Sequence, residues 1–417
     1  VGQNIANANT PGYIREEVLL TPGPTQHLGG LLLGTGVQVE AVVQKIDRFL
    51  EERLRASVSD RASSETQEQT YVRLETMLNE LTEVDLSTSL TAFFSQISET
   101  LNHPESLPVR QLVVSKGAEL SDAVNRLAER VRELRLDLNT RVEDIAERIN
   151  RLTGDIQKLN LQITEAEGGD ASASDAVGLR DQRLTALEEL AGLIDVHVCE
   201  QPSGGVAIYS GGTFLVFEGT RRAVETVWGG DRGLNVTRVQ MVETQSPLEL
   251  TGGELHGLVT ARDDILGGFL DGLDDFAGTL AFEFNKVFSG GQGLSGFDEI
   301  TSEFRVEAND VPLDEANLPF TPVNGSFQVL VRNKTTGLEQ TSDVFVDLNH
   351  LGHDATLDDL AAALDAIEGI SAAALPTGEL AITADSPDAE FFFANDTSGV
   401  LAALGLNVFF TGSTAFD

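Results

Sequence analysis

One seam of apolar residues constrains this chain more than any other feature. Leu120, Val124, Leu127, Val131, Leu134, Leu138, Val142, Ile145, Ile149, Leu152, Ile156, Leu159 and Ile163 follow one another at steps of three or four. That spacing puts them on one stripe of an α-helix. Pro108 suits the first turn, where its missing N–H removes no bond. Residues 108–167 would make a helix about 90 Å long. Two steps of four adjoin at Leu134–Leu138–Val142, and such a stutter locally unwinds a supercoil. Asp144–Arg148 and Glu147–Arg151 stand four apart on outer faces, where ion pairs are expected. A stripe this narrow needs partner helices.

The expected fold class is therefore mixed α and β and multidomain. It is a long coiled-coil-like helical bundle with a small β region and a separate β-rich outer domain. Residues 1–44 read as a connecting segment, in which a helix end stops at Asn9-Thr10-Pro11-Gly12 and two extended runs follow. Residues 45–200 and 250–288 read as the helical rod. In its first helix, Ile46, Leu50, Leu54, Tyr71, Leu74, Leu78 and Leu81 keep helical steps, and the polar middle, 57–70, holds little to bury. Helix 177–193 follows, and then 201–249 forms an attached β region with a turn at Ser203-Gly204-Gly205. The returning helix, 253–288, places Leu255, Leu258, Ile265, Phe269, Leu273, Phe276, Leu280 and Phe284 on its buried face. Gly-rich 289–296 is a linker. Residues 297–417 form the outer domain, with strands and one helix, 357–367, capped by Thr356.

Charge and composition remove whole classes of function. The net charge is −38, which repels phosphate backbones and anionic bilayers, so neither nucleic acid nor membrane is an expected partner. No apolar run approaches the ~18 residues of a membrane span. Cys199 is the only cysteine, so no disulfide framework or Cys-rich zinc site exists. His350-x-x-His353-Asp354 reads as a surface loop, and Asp263-Asp264 and Asp274-Asp275 as solvated helix faces. Gly290, Gly291, Gly293 and Gly296 lack the strand–turn–helix order of a phosphate loop. No Ser-His-Asp, Cys-His or acid/base set stands out, so no catalytic residue, cofactor or metal is expected. The chain enters mid-pattern at Val1 and ends after an apolar run, so it reads as an internal part of a longer protein.

The opening Asn4-Ile5-Ala6-Asn7-Ala8-Asn9-Thr10-Pro11-Gly12-Tyr13 resembles the N-terminal signature of bacterial flagellar rod, hook and junction proteins. Further segments resemble the flagellar hook-associated protein 1 family in order across residues 1–288. These are Gly29-Gly30 with Gly34-Thr35-Gly36-Val37, then Asp47, Phe49, Leu54 and Arg55, then Pro108-Val109-Arg110-Gln111. Leu179-Arg180-Asp181-Gln182-Arg183 and Gly252-Gly253-Glu254-Leu255-His256-Gly257-Leu258 complete the set. The resemblance implies a non-enzymatic structural subunit that polymerises around the flagellar axis and joins hook to filament outside the cell. It implies self-association with identical subunits, and contacts with the hook protein and a second junction protein. It also implies passage through the type III export machinery with a secretion chaperone, and a chain lacking much of its terminal helices. Asn4, Asn7, Asn9, Gly12 and Tyr13 are the expected subunit-packing residues. Another axial protein of hook, distal-rod or filament type is the alternative, ahead of a secreted adhesin or enzyme on a helical stalk.

Overall fold

The computed structural model describes residues 2–9, 13–28, 31–78, 86–168 and 176–416. Its helices in chain order are α1 (Gly2–Ala6), α2 (Arg48–Leu78), α3 (Leu86–Asn102), α4 (Leu107–Ala166), α5 (Val177–Leu193), α6 (Gly253–Thr260), α7 (Gly267–Ser289), α8 (Leu357–Asp365) and α9 (Val400–Leu404). The chain divides into two compact units, 1–80 with 130–269 and 81–129 with 270–417. The division runs through α4.

The seam of α4 is buried from Leu120 to Ile163, except that Leu159 is only half-buried. Asn160 takes the buried place beside it. In the first unit the flank of the seam carries asparagines that grip strand backbones. Asn139 Oδ1 accepts from Thr237 N (2.6 Å), Asn150 Oδ1 from Val224 N (3.0 Å) and Asn160 Oδ1 from Val206 N (3.1 Å). Asn150 and Asn160 also donate to the carbonyls of the same two residues. A buried amide is stable only when both ends are bonded, so these contacts fix how the β region lies on α4. That region comprises an antiparallel sheet of His197–Glu200, Val206–Ser210, Thr213–Phe217 and Thr220–Arg221, and a hairpin of Val224–Asp231 with Leu234–Met241. The expected ion pair of Arg148 with Asp144 gives way to one with Glu254, 3.8 Å away.

Two expectations are overturned. The polar middle of α2 is its buried face: Ser59, Ser63, Thr66 and Thr70 are buried, as are Arg55 and Leu74. Phe49, Leu50, Leu54, Tyr71 and Val72 are exposed. The reason is close approach to α6. A Cβ at Gly257 would stand 2.6 Å from the Ser63 carbonyl oxygen and 2.9 Å from Thr66 Cβ, so only small side chains fit there. Second, a π turn, Ala261–Leu266, separates α6 from α7. It adds a residue to the helical repeat. The buried face after it is Leu266, Leu270 and Leu273, while Ile265 and Phe269 are half-buried and Phe276 is exposed.

After α1, two strand pairs form a ribbon. Glu16–Pro22 pairs antiparallel with Val37–Gln44, and Thr25–Leu28 pairs with Leu31–Gly34. In the second unit, Phe93 is fully buried, with ring centroids 5.3–5.6 Å from Phe284, Phe409 and Phe410. Residues 297–417 contain two three-stranded sheets. One is Glu339–Val346, Gly325–Asn333 and Ala389–Ala394; the other is Glu299–Thr301, Leu380–Ala384 and Ile370–Ala374. The Thr356 cap is a full capping box with Asp359. Short α9 was not expected; Gly399 and Gly405 bound it at positive φ (68° and 73°).

Candidate assembly surface

The opening signature makes a corner rather than an open row of amides. Asn4 Nδ2 donates to Glu16 O (2.9 Å), while its Oδ1 accepts from Glu16 N (3.0 Å) and the Tyr13 hydroxyl (2.8 Å). Asn4 thereby ties α1 to the first strand of the ribbon. Asn7 Nδ2 bonds back to Gln3 O (3.2 Å), and Asn9 is exposed. Gly12 lies outside the described residues, as do Thr10 and Pro11. Burial, then Glu16 and Asp181, raise the Tyr13 pKa. The Asp181 carboxyl is also raised, by burial and then Glu16; it accepts from Gln44 at the ribbon root.

Beyond this corner the ribbon offers apolar side chains to solvent on both faces. Leu31, Leu32 and Val37 are 70%, 64% and 67% exposed, and Val18, Leu20, Leu33 and Val39 join them. Helix α2 adds exposed Phe49, Leu50 and Leu54 near its start and Tyr71 and Val72 farther along. Large exposed apolar areas mark interaction surfaces. Sequence reasoning missed these residues as a surface, although three successive leucines at 31–33 cannot all face one side of a strand.

The Leu179–Arg183 segment is an internal brace. Arg180 forks onto both oxygens of Glu167 (2.8 Å each) and reaches Glu200 (2.7 Å), which raises its pKa above the usual arginine value. Buried Arg183 donates to Asn160 Oδ1 (3.0 Å) and Gly204 O (2.8 Å). Burial, and then Arg180, push it down to about 10. A second buried arginine pair spans α4 and the π turn. Arg262 forks onto Asp263 (2.7 and 2.8 Å), and Arg135 donates to the Arg262 carbonyl (3.0 Å) and to Asp231. Asp263 is thus an arginine partner rather than a solvated side chain, and Asp274 accepts from Ala415 N (2.9 Å). His350 lies 3.3 Å from both Asp314 and Asp354, and His353 2.9 Å from the capping carboxylate Asp359. Among the described residues no group of three or more His, Cys, Asp or Glu is placed to hold a metal, and no helix is long and apolar enough to cross a membrane.

A family model, the helical domain of the flagellar hook-associated protein FlgK, matches residues 71–303. Flagellar hook-associated protein 1 of Bacillus subtilis (strain 168) is 28% identical over 331 residues, which cover 70% of this chain and 64% of that protein. The protein of the same name from Salmonella typhimurium (strain LT2) is 26% identical over 304 residues, covering 72% of this chain and 54% of that one. The chain thus spans between about half and two thirds of the length of these curated relatives. In fold it is similar to the flagellar hook junction protein FlgK from Burkholderia pseudomallei. The TM-score is 0.50 at 18% identity, with 85% of this chain and 66% of that one covered.

Proposed function

We propose a function from one premise: the chain belongs to the family of flagellar hook-associated protein FlgK. On this reading it is a structural, non-enzymatic subunit of the bacterial flagellum. It polymerises axially at the junction between hook and filament, outside the cell. The observation that carries the reading is the FlgK helical-domain match over 71–303. Two further features support it. Both faces of the ribbon and one face of α2 carry apolar side chains that the chain leaves uncovered. The buried arginine braces stiffen the helical part around fixed geometry. Its partners on this reading are identical subunits, the hook protein and a second junction protein. The type III export machinery and a secretion chaperone deliver it.

Asn4, Asn7, Asn9, Gly12 and Tyr13 serve subunit packing, Asn4 and Tyr13 by setting the corner between α1 and the ribbon. Asn4 holds that corner from inside the chain, so the packing surface it orients is apolar. The test uses the full-length protein in cells deprived of their own copy. The unaltered protein restores attached filaments. With Asn4 and Asn7 both changed to Ala, the protein melts nearly as before but leaves flagellin shed into the medium. Full motility in the double variant would remove the packing role. Failure of the unaltered protein to restore filaments, in the organism it comes from, would remove the junction reading.

A further inference from the structure

A cavity of about 580 Å³ opens in the first unit between the ribbon root, the start of α2, α5 and the strand His197–Glu200. Such a volume is typical of small-ligand sites. Phe49, Leu184, Leu187 and Val198 supply apolar wall. Four arginines also line it, Arg48, Arg55, Arg180 and Arg183, and two of them are buried, Arg55 at 7% exposure and Arg183 at 5%. A charge taken out of water costs several kcal/mol unless a counter-charge meets it. Neither group has a hydrogen-bonded carboxylate. Arg183 is held by the amide oxygen of Asn160 and the carbonyl of Gly204, both neutral. Arg55 Nε has no acceptor at all. Glu51, one turn back, stands 3.7 Å from Arg55 Nη1, beyond hydrogen-bond reach, and its own Oε2 is without a donor.

The other carboxylates of the wall are engaged. Glu200 takes Arg48 and Arg180, and Glu52 takes His197. Burial lowers the pKa of Arg55 despite Glu51, Glu52 and Glu188 nearby. The cavity therefore sets beside an apolar wall a buried guanidinium whose ion pair with Glu51 is long, at 3.7 Å, and whose Nε has no acceptor, and a guanidinium fork matches a carboxylate in shape.

We propose that this cavity binds a carboxylate carried on an aliphatic stem, with its oxygens on Arg55 and its stem against Leu184, Leu187 and Phe49. A bare phosphate would leave the apolar wall unused. The inference stands apart from the flagellar reading, because it rests on the cavity alone. The same chemistry has two sources: a free aliphatic acid, or an Asp or Glu flanked by apolar residues on a second copy of this acidic chain.

The test uses the whole chain, labelled with nitrogen-15 at arginine, and two probes, sodium hexanoate and neutral hexanamide. Hexanoate is expected to shift the Arg55 Nε–H signal saturably, and hexanamide to leave it in place. Arg55→Gln should weaken hexanoate binding about tenfold or more. Sedimentation separates the sources. Self-association that hexanoate competes away, and that Arg55→Gln abolishes, assigns the carboxylate to a second copy. Hexanoate binding by a chain that stays monomeric assigns it to a free acid. The proposal is overturned if both arms are silent, if the two probes act alike, or if Arg55→Gln changes neither. Should that variant fail to fold, the comparison of probes on the unaltered chain decides.

Discussion

Helix α4 buries the stripe its sequence advertises, from Leu120 to Ile163, whereas α2 turns Ser59, Ser63, Thr66 and Thr70 inward and leaves Phe49, Leu50, Leu54 and Tyr71 in water. Both helices carry apolar residues at helical steps. What separates them is the neighbour. α4 is met by side chains and strand backbones that leave room for Leu and Ile. α2 is met by α6 at Gly257, where the two backbones nearly touch. Apolar periodicity thus identifies a surface that wants covering; it does not identify what covers it. In α4 the cover comes from the same chain. The exposed row of α2 is left for something else.

The comparison is broken most directly at the seam. Ile149 is 1% exposed, so Ile149→Asp places an unpaired charge in the core and should cost about 4 kcal/mol or more. Arg148→Asp, one position back, loses only a long contact to Glu254 and should cost about 1 kcal/mol. Equal shifts in denaturant midpoint would dissolve the seam. On α2 the matching experiment is Gly257→Ala. The added methyl must displace the Ser63 backbone, so about 2 kcal/mol should be lost. Gly268→Ala, with open space around its Cβ position, should stabilise the chain by up to ~1 kcal/mol. If both alanines stabilised equally, the close approach of α2 and α6 would be wrong.

A third measurement separates how the two helices hold their buried polar groups. Apart from Arg55, those of α2 are hydroxyls that do not titrate, such as Thr66 and Thr70 bonded back to their own helix. On α4, Arg135 pairs with Asp231. Burial pulls the Asp231 carboxyl upward, but hydrogen bonds from Arg135 and Arg232 outweigh it and hold the pKa below the usual 3.8. A depressed folded pKa gives stability that is present above the unfolded value and lost as pH falls through the folded one. Asp231→Asn should therefore cost on the order of 1 kcal/mol at neutral pH and flatten the acid limb of a pH series of melts. Thr66→Ser should leave that limb unchanged. An Asp231→Asn limb as steep as the parent's would mean that Asp263, 3.8 Å from Arg135, carries the charge alone.

Much of the fold was legible where local chemistry decides it. The α4 seam, Pro108 at its start, the hairpin turn at Gly204 and the Thr356 cap are all set by a few neighbouring residues. What escaped was set by shape at a distance. The π turn shifts the buried face from Ile265 to Leu266. Its trace is the step of five between Ala261 and Leu266 in an otherwise three-and-four pattern. Buried Asn139, Thr153 and Asn160 stand seven or fourteen apart beside the seam, a spacing that points to a second, polar contact line. In the opening signature the residue types were legible but not the bonds. Nothing in the spacing of Asn4 and Asn7 says that Glu16 and Tyr13 use up the Asn4 amide.

The smallest expected effect on stability tests what the α2 row is for. Leu50 and Leu54 are 61% and 44% exposed, so changing both to Ser removes little buried area. The isolated chain should lose no more than about 0.5 kcal/mol. In the full-length protein the same pair of changes removes apolar surface from the face that the junction reading assigns to neighbouring subunits. Filament attachment should then fall although the melt barely moves. A melt lowered by several degrees would show that the row is packed in the folded chain, and the contrast with α4 would disappear. An unchanged melt with full attachment would keep the contrast but leave this face of α2 without a partner, and the ribbon alone would remain as the apolar contact.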